Sequence, residues 1–378
     1  MPLVQRLPTY RHRKYNMKTH AIIPIFIPHK GCPHNCIFCN QKKITAHIAP
    51  VTADDVVETI ETWLTTLSHV KTVEIAFYGG SFTAIPMEDQ TAYLKIAKRY
   101  KDAGKVNKIH LSTRPDAINK EILDNLRAYG VDTIELGVQS FDDRVLKLSG
   151  RGHDSAIVYK SSKMIQDYGF ELGIQLMIGL PGDSMETCIY SAKETVKIGP
   201  ELARLYPTIV IEDTELFEQY KRGEYKPLSQ DEAVERTKEM YKILQKAGIN
   251  IIRVGLKSSD IINENGDIDG GTFHPAFRQL VEGAIAREKL ESQLQAEAGV
   301  ARRAELTGRA GTARSPFVQE EREKVDFFSN SRNFSNMIGN SGRNKEYFLE
   351  NYRQYDILYR VDNGLKDGEY AVIIKNGD

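Results

Sequence analysis

The stretch "IPHKGCPHNCIFCNQKKIT" (27–45) holds three of the four cysteines of the chain, Cys32, Cys36 and Cys39, within eight residues. It follows the apolar run "AIIPIF" (21–26), which reads as a β-strand, so the thiols sit on a loop leaving a strand's C-terminal end. Three clustered thiolates can hold zinc or an iron–sulfur cluster. A structural zinc site needs a fourth ligand, which His34 or Cys188 could supply, but a second ligand pair at regular spacing is missing. An iron–sulfur cube held by three cysteines leaves one iron without a protein ligand, open to a substrate or cofactor.

Outward from this loop, short β-rich runs alternate with amphipathic segments from residue 20 to about 255. The further strands are "TVEIAFY" (72–78), "KIHLS" (108–112), "TIELGV" (133–138), "ELGIQLMIG" (171–179) and "LARLYPTIV" (202–210). Helices fall between them. Thr52 and Asp55 form a capping-box variant before "VVETIETWL", Gly130 stops "NKEILDNLRAYG", and Ser229 opens a helix that Gly248 ends. Such alternation predicts an α/β fold with a parallel sheet covered by helices. Six strand–helix units are too few for a closed eight-fold barrel and fit a partial (β/α)6 barrel. Loops at the C-terminal ends of the strands then carry function. The cysteines, "GGSF" (79–82), "STRPD" (112–116), "QSF" (139–141) and "GLPGD" (179–183) all fall there, which predicts one shared site.

Composition sets bounds around this core. The 378 residues are 41% hydrophobic and 27% charged, ordinary for a globular chain, with 51 basic and 51 acidic residues. With charge balanced, any nucleic-acid contact must come from local patches. No apolar run approaches the roughly 20 residues that span a bilayer. Few cysteines, clustered, point to a reducing cytoplasm. The basic segment 1–16 reads as a disordered tail, with Met17 an alternative translation start. The barrel is expected over 17–257, a helix (276–298) and an Ala/Gly/Arg-rich linker over 258–316, and a small α+β unit over 317–378.

Cys-x3-Cys-x2-Cys after the first strand, with Phe38 before the third cysteine, resembles the signature of radical S-adenosylmethionine (SAM) enzymes. The resemblance implies a [4Fe-4S] cluster on Cys32, Cys36 and Cys39, and SAM beside it. Gly79, Gly80, Ser81 and Phe82 look like the family's "GGE" motif, whose backbone meets the methionyl amino group. Arg114, Gln139 and Ser140 sit where the family places polar contacts to carboxylate and ribose. Ile178, with Gly179 to Gly182, resembles the segment beside the adenine. A one-electron donor such as flavodoxin or ferredoxin is implied as partner. Physically, glycines let backbone approach a ligand, and arginine can pair bidentately with a carboxylate or be held in a structural ion pair.

"STRPD", "ELGVQSFDD", "LMIGLPGD", "LYPTIVIEDTEL" and "IRVGL…HPAFRQLVE" together resemble the Elongator catalytic subunit over residues 20 to 283, which implies tRNA as substrate. The first two cysteines are closer together than in that subunit, and "GRAGTA" (308–313) reads as linker, so acetyltransferase activity is not expected. Coproporphyrinogen oxidases and heme chaperones share "GVQSF" and "GLPG" and are the alternative, as is a barrel that only binds RNA. In the C-terminal unit, strand, helix, Gly339-x-x-Gly342, helix and strand resemble a minimal KH module, with Arg343 and Lys345 as phosphate partners. The linker arginines 302, 303, 309 and 314 read as solvated, Cys188 as a buried inert thiol, and Arg204 and Tyr206 as candidates to face the barrel interior near substrate. His153, His274 and Trp63 carry no specific signal.

Overall fold

In a computed structural model, the residues described are 19–27, 32, 36–40, 51–256, 268–271, 273–308 and 322–375. The expected tail, Met17, His34, Arg309 and Arg314 lie outside them, as do the side chains of Arg302 and Arg303.

The barrel is laid down in chain order. Strand β1 (His20–Ile27) is followed by α1 (Ala53–Leu64), β2 (Thr72–Gly79), α2 (Met87–Asp102) and β3 (Lys108–Thr113). Then come α3 (Lys120–Ala128), β4 (Thr133–Gln139), α4 (Asp143–Leu148), α5 (Ser155–Asp167), β5 (Glu171–Ile178) and α6 (Met185–Ile198). Strands β6 (Leu202–Pro207) and β7 (Ile209–Ile211) precede α7 (Glu215–Lys221), α8 (Gln230–Lys246), β8 (Asn250–Val254) and β9 (Ile268–Gly271). The main sheet has the order β1-β2-β3-β4-β5-β6-β8, and every neighbouring pair is parallel. β1 and β8 form its edges, so it is an open half-barrel.

The α/β reading therefore holds, with a seventh strand added. "NIIRV" (250–254) is short and half-buried, too brief for a periodicity to declare itself. The run 202–210 also divides: after Pro207, residues 209–211 leave the sheet and pair antiparallel with β9. The expected caps are present. Thr52 and Asp55 exchange hydrogen bonds at 2.7 and 3.2 Å, as do Ser229 and Glu232 at 2.8 and 3.3 Å.

Helix α9 (Phe277–Gly308) is longer than expected and runs through residues read as linker. Its first turns place Phe277, Leu280, Val281, Ala284 and Ile285 in the barrel core. Its next turns place Ala286, Leu290 and Leu294 in a second core. The second core belongs to β10 (Glu323–Ser329), α10 (Phe334–Ile338), α11 (Arg343–Asn351), β11 (Tyr355–Val361) and β12 (Tyr370–Lys375). The sheet order there is β11-β10-β12, with β10 parallel to β11 and antiparallel to β12. One helix thus carries two cores on successive turns.

Candidate active site

Backbone conformation at the strand ends shapes the site. β2 closes on Gly79 at φ +109°, where a Cβ would stand 2.4 Å from the Ile27 carbonyl oxygen. Only glycine lets β2 turn this close to the exit of β1. The Gly80 N–H then donates to that same carbonyl at 3.2 Å. A third strand end is unusual in another way: Gln139 holds φ +71° beyond an irregularity in the β4–β5 register, a strained conformation for a non-glycine residue.

A cavity of about 1040 Å³ opens at this rim. Cys32, Cys36, Phe38 and Cys39 line one wall, and Gly79, Gly80, Ser81, Arg114 and Gln139 line the next. These nine expected site residues are brought together. The cysteine segment is anchored at both sides, through Ile37 N–H to the Ser149 carbonyl (3.2 Å) and Leu216 N–H to the Ile37 carbonyl (2.8 Å). Among the described residues, no three Cys, His, Asp or Glu side chains are already gathered at metal-ligand spacing. The three thiols share the cavity without yet forming a ligand triangle.

Three expected residues stand elsewhere. Phe82 is buried in the barrel core with its ring 4.9 Å from that of Phe77, and Ile178 is buried in the same core. Ser140 is turned into the scaffold, accepting from the Asp142 N–H at 3.1 Å beside the Ser191 hydroxyl at 3.3 Å. None of the three side chains lines the cavity.

Arg114 is engaged within the protein. Its Nε and Nη2 donate to the two Asp116 carboxylate oxygens at 2.8 and 2.9 Å, and Nη2 also reaches the Arg151 carbonyl. Burial would raise the Asp116 pKa, but the paired guanidinium holds it below the usual carboxylate value. The bidentate partner is thus an internal carboxylate. Sequence reading passed over the residue beside it. Arg151 is 5% exposed, donates from Nη1 to Cys36 Sγ at 3.2 Å and from Nη2 to the Gly137 carbonyl, and its Nε is buried without a partner. No carboxylate pairs with Arg151 among the described residues, and the side-chain atom it meets is the Cys36 sulfur. A buried cation of this kind fits a thiolate-ligated, negatively charged cluster and its anionic co-ligand. Burial pushes the Cys32 thiol up, while a backbone N–H at Ser81 and the charges of Arg114 and Arg151 pull the other way.

Below the rim, the barrel lumen holds a buried polar network. Glu135 lies 2.8 Å from His110 Nε2, accepts from Gln175 Nε2 at 2.6 Å and from Arg204 Nε at 2.9 Å. Arg204 donates onward to Tyr78 Oη at 2.8 Å and Tyr206 Oη at 3.3 Å. Gln175 and Tyr206 reach the cavity. Cys188 lies outside it, buried on α6 with Sγ 3.1 Å from Asp183 Oδ2, and burial raises its pKa.

The Gly-x-x-Gly loop lies far along the chain, against α9. Gly339 (φ +81°) is covered by Asn344, Asn340 Nδ2 donates to Gln279 Oε1 at 3.0 Å, and Arg343 pairs with Asp231 at 2.8 Å. Ser341 and Lys345 are exposed, and Lys345 makes no ion pair among the described residues.

Comparison with known proteins accords with this geometry. The Radical SAM superfamily profile matches residues 26–194, and the Radical_SAM C-terminal domain matches 200–287. The chain belongs to the radical SAM superfamily. It is 28% identical over 255 residues to the tRNA uridine(34) acetyltransferase of Methanocaldococcus infernus, covering 57% of this chain and 48% of that one. It is 27% identical over 296 residues to an uncharacterized protein of Methanocaldococcus jannaschii, covering 70% of this chain and 90% of that one. The solved archaeal Methanocaldococcus infernus Elp3 superposes with a TM-score of 0.58 at 24% identity, covering 72% of this chain and 63% of that one. The chain spans about half the length of the acetyltransferase relatives it matches. Its motifs resemble the Elongator catalytic-subunit family within the radical SAM module.

Proposed function

We propose that this protein is a radical SAM enzyme that modifies RNA, with tRNA as the substrate class. The observation that carries the first half is the shared cavity of Cys32, Cys36 and Cys39 with a buried arginine that has no carboxylate partner among the described residues. The second half rests on the names of the relatives, and the acetyl transfer in those names is not carried over.

When bound, a [4Fe-4S] cluster on the three cysteines together with SAM supplies a 5′-deoxyadenosyl radical. The chain's own residues hold and enclose that pair. Gly79 and Gly80 offer backbone at close range, and Gln139 offers a buried, unpartnered Oε1 to a ligand donor. Arg151 is the cation available to a methionyl carboxylate, because Arg114 is already paired with Asp116. Phe38, packed beside the Val210, Leu216 and Tyr225 cluster, keeps water from the cysteine wall.

The test is anaerobic reconstitution with iron and sulfide, then assay of 5′-deoxyadenosine with and without bulk tRNA, with a flavodoxin or ferredoxin as electron donor. Iron uptake and tRNA-stimulated turnover are expected. Tetrahedral zinc with no iron uptake removes the radical reading, whereas turnover stimulated by a porphyrinogen and indifferent to RNA replaces the substrate class. Within that assay Arg151→Ala is expected to weaken SAM binding by about tenfold or more, the loss of a charge-assisted bond. Arg114→Ala is expected to lower folding stability first.

A further inference from the structure

Deep in the cavity, two side chains on adjoining strands are each left with one unanswered hydrogen-bonding atom. Gln175 pairs in register with Arg204, and Met177 with Tyr206, so Gln175 and Tyr206 are diagonal neighbours on one face of the β5–β6 pair. The Glu135 carboxylate only accepts, which forces the Gln175 amide nitrogen toward it at 2.6 Å and leaves Oε1 turned to the cavity. The Arg204 guanidinium only donates, so Tyr206 Oη must accept from it and its own O–H is left to donate elsewhere. Neither Gln175 Oε1 nor the Tyr206 hydroxyl hydrogen has a partner among the described residues.

The frame behind them is fixed. Glu135 is held at once by His110, Gln175 and Arg204, and Arg204 is braced on its other side by Tyr78. Gly173 is part of the same frame, since a Cβ there would stand 2.5 Å from Glu135 Cγ. An acceptor and a donor side by side on a rigid frame complement a ligand edge that carries an N–H beside a C=O.

We propose that Gln175 and Tyr206 form the specificity-determining pair of the substrate site and read the imide edge of a uracil base, N3–H to Gln175 Oε1 and a ring carbonyl to the Tyr206 hydroxyl. The proposal rests on the RNA reading above and adds to it the residues that select the base. Methylation at N3 replaces that N–H with a methyl group and leaves Gln175 Oε1 unanswered.

The experiment uses the anaerobically reconstituted full chain and two stem-loop RNAs that differ only in one loop base, uridine or N3-methyluridine. Affinity and RNA-stimulated 5′-deoxyadenosine are both measured. The wild type is expected to prefer uridine by about tenfold, the scale of one good bidentate base contact. Tyr206→Phe and Gln175→Met are each expected to bring that ratio toward one. Iron content reports whether each variant has folded, and Gln175→Met decides the matter if Tyr206→Phe takes up no iron. Equal response of the wild type to both RNAs overturns the base assignment and leaves the RNA reading standing, as does a Tyr206→Phe variant that folds and keeps the full ratio. Deoxyadenosine formation that no RNA stimulates overturns both.

Discussion

Glu135 is the most completely enclosed carboxylate of the lumen, and its charge state follows from its partners. Burial would raise its pKa, but the close contact with His110, the charge of Arg204 and the Gln175 amide override this and hold it at about 2. A carboxyl whose folded pKa is depressed stabilises the fold above its unfolded pKa, about 4.3, and that stabilisation is lost as the pH falls toward 2. Urea denaturation at a series of pH values is therefore expected to show stability falling between about pH 4.5 and 2. In Glu135→Gln that slope flattens, and at pH 7 the variant is less stable by about 3 kcal/mol, the cost of stranding the Arg204 charge. An unchanged slope in the variant would mean that another group carries the acid transition. At this scale the sequence spoke unevenly. The cysteines and the Gly79–Gly80 pair declared themselves through spacing and through residue type. Arg151, in "SGRGHD" (149–154), could not, because what marks it is burial beside Cys36 with no acid partner among the described residues, and both are set by contacts distant in the chain. Arg114 was visible, yet its occupation by Asp116 depends on a side-chain geometry that "STRPD" alone leaves open.

Helices α10 and α11 and the glycine loop between them show how an element's role depends on what it packs against. Asn344 Nδ2 donates to the Gly283, Asn336 and Met337 carbonyls at 2.8, 3.0 and 3.3 Å, tying the loop to α9 and to the preceding helix. Asn344→Ala is expected to cost about 2 kcal/mol by leaving buried carbonyls unsatisfied, read as a shift in the urea midpoint. Lys345→Ala is expected to leave stability within about 0.5 kcal/mol, since the side chain is exposed. If RNA lies along this loop, Lys345→Ala lowers bulk tRNA affinity and reduces its salt dependence, because that cation meets phosphate. An affinity and salt slope equal to wild type would remove the loop from the RNA path. Strand positions and helix caps were readable because each depends on a few neighbours: Thr52 with Asp55, Ser229 with Glu232. The pairing of Ile209–Ile211 with Ile268–Gly271 joins segments nearly sixty residues apart, and nothing local in either announces it.

The two cores meet on one helix, and this determines how the whole molecule should unfold. Ile285 belongs to the barrel core and Ala286, the next residue, to the C-terminal core. Ion pairs and hydrogen bonds strengthen the joint: Lys238 meets Glu288 at 2.8 Å, Arg343 meets Asp231 and Asn340 meets Gln279. The single tryptophan, Trp63, stands on α1 and reports the barrel alone. Phe327 is fully buried in the C-terminal core, 4.9 Å from the Phe348 ring, so Phe327→Ala costs about 3 to 5 kcal/mol there. Loss of that unit frees the second half of α9 and with it the contacts that hold the helix's first turns to α8. The Trp63 transition in urea is therefore expected to move to lower denaturant together with the far-UV circular dichroism transition, although the substitution touches nothing in the barrel. A Trp63 midpoint that stays put while the circular dichroism divides into two steps would show that α9 transmits nothing between the cores. In that event the C-terminal unit is a passenger on the barrel, and the shared helix is a tether.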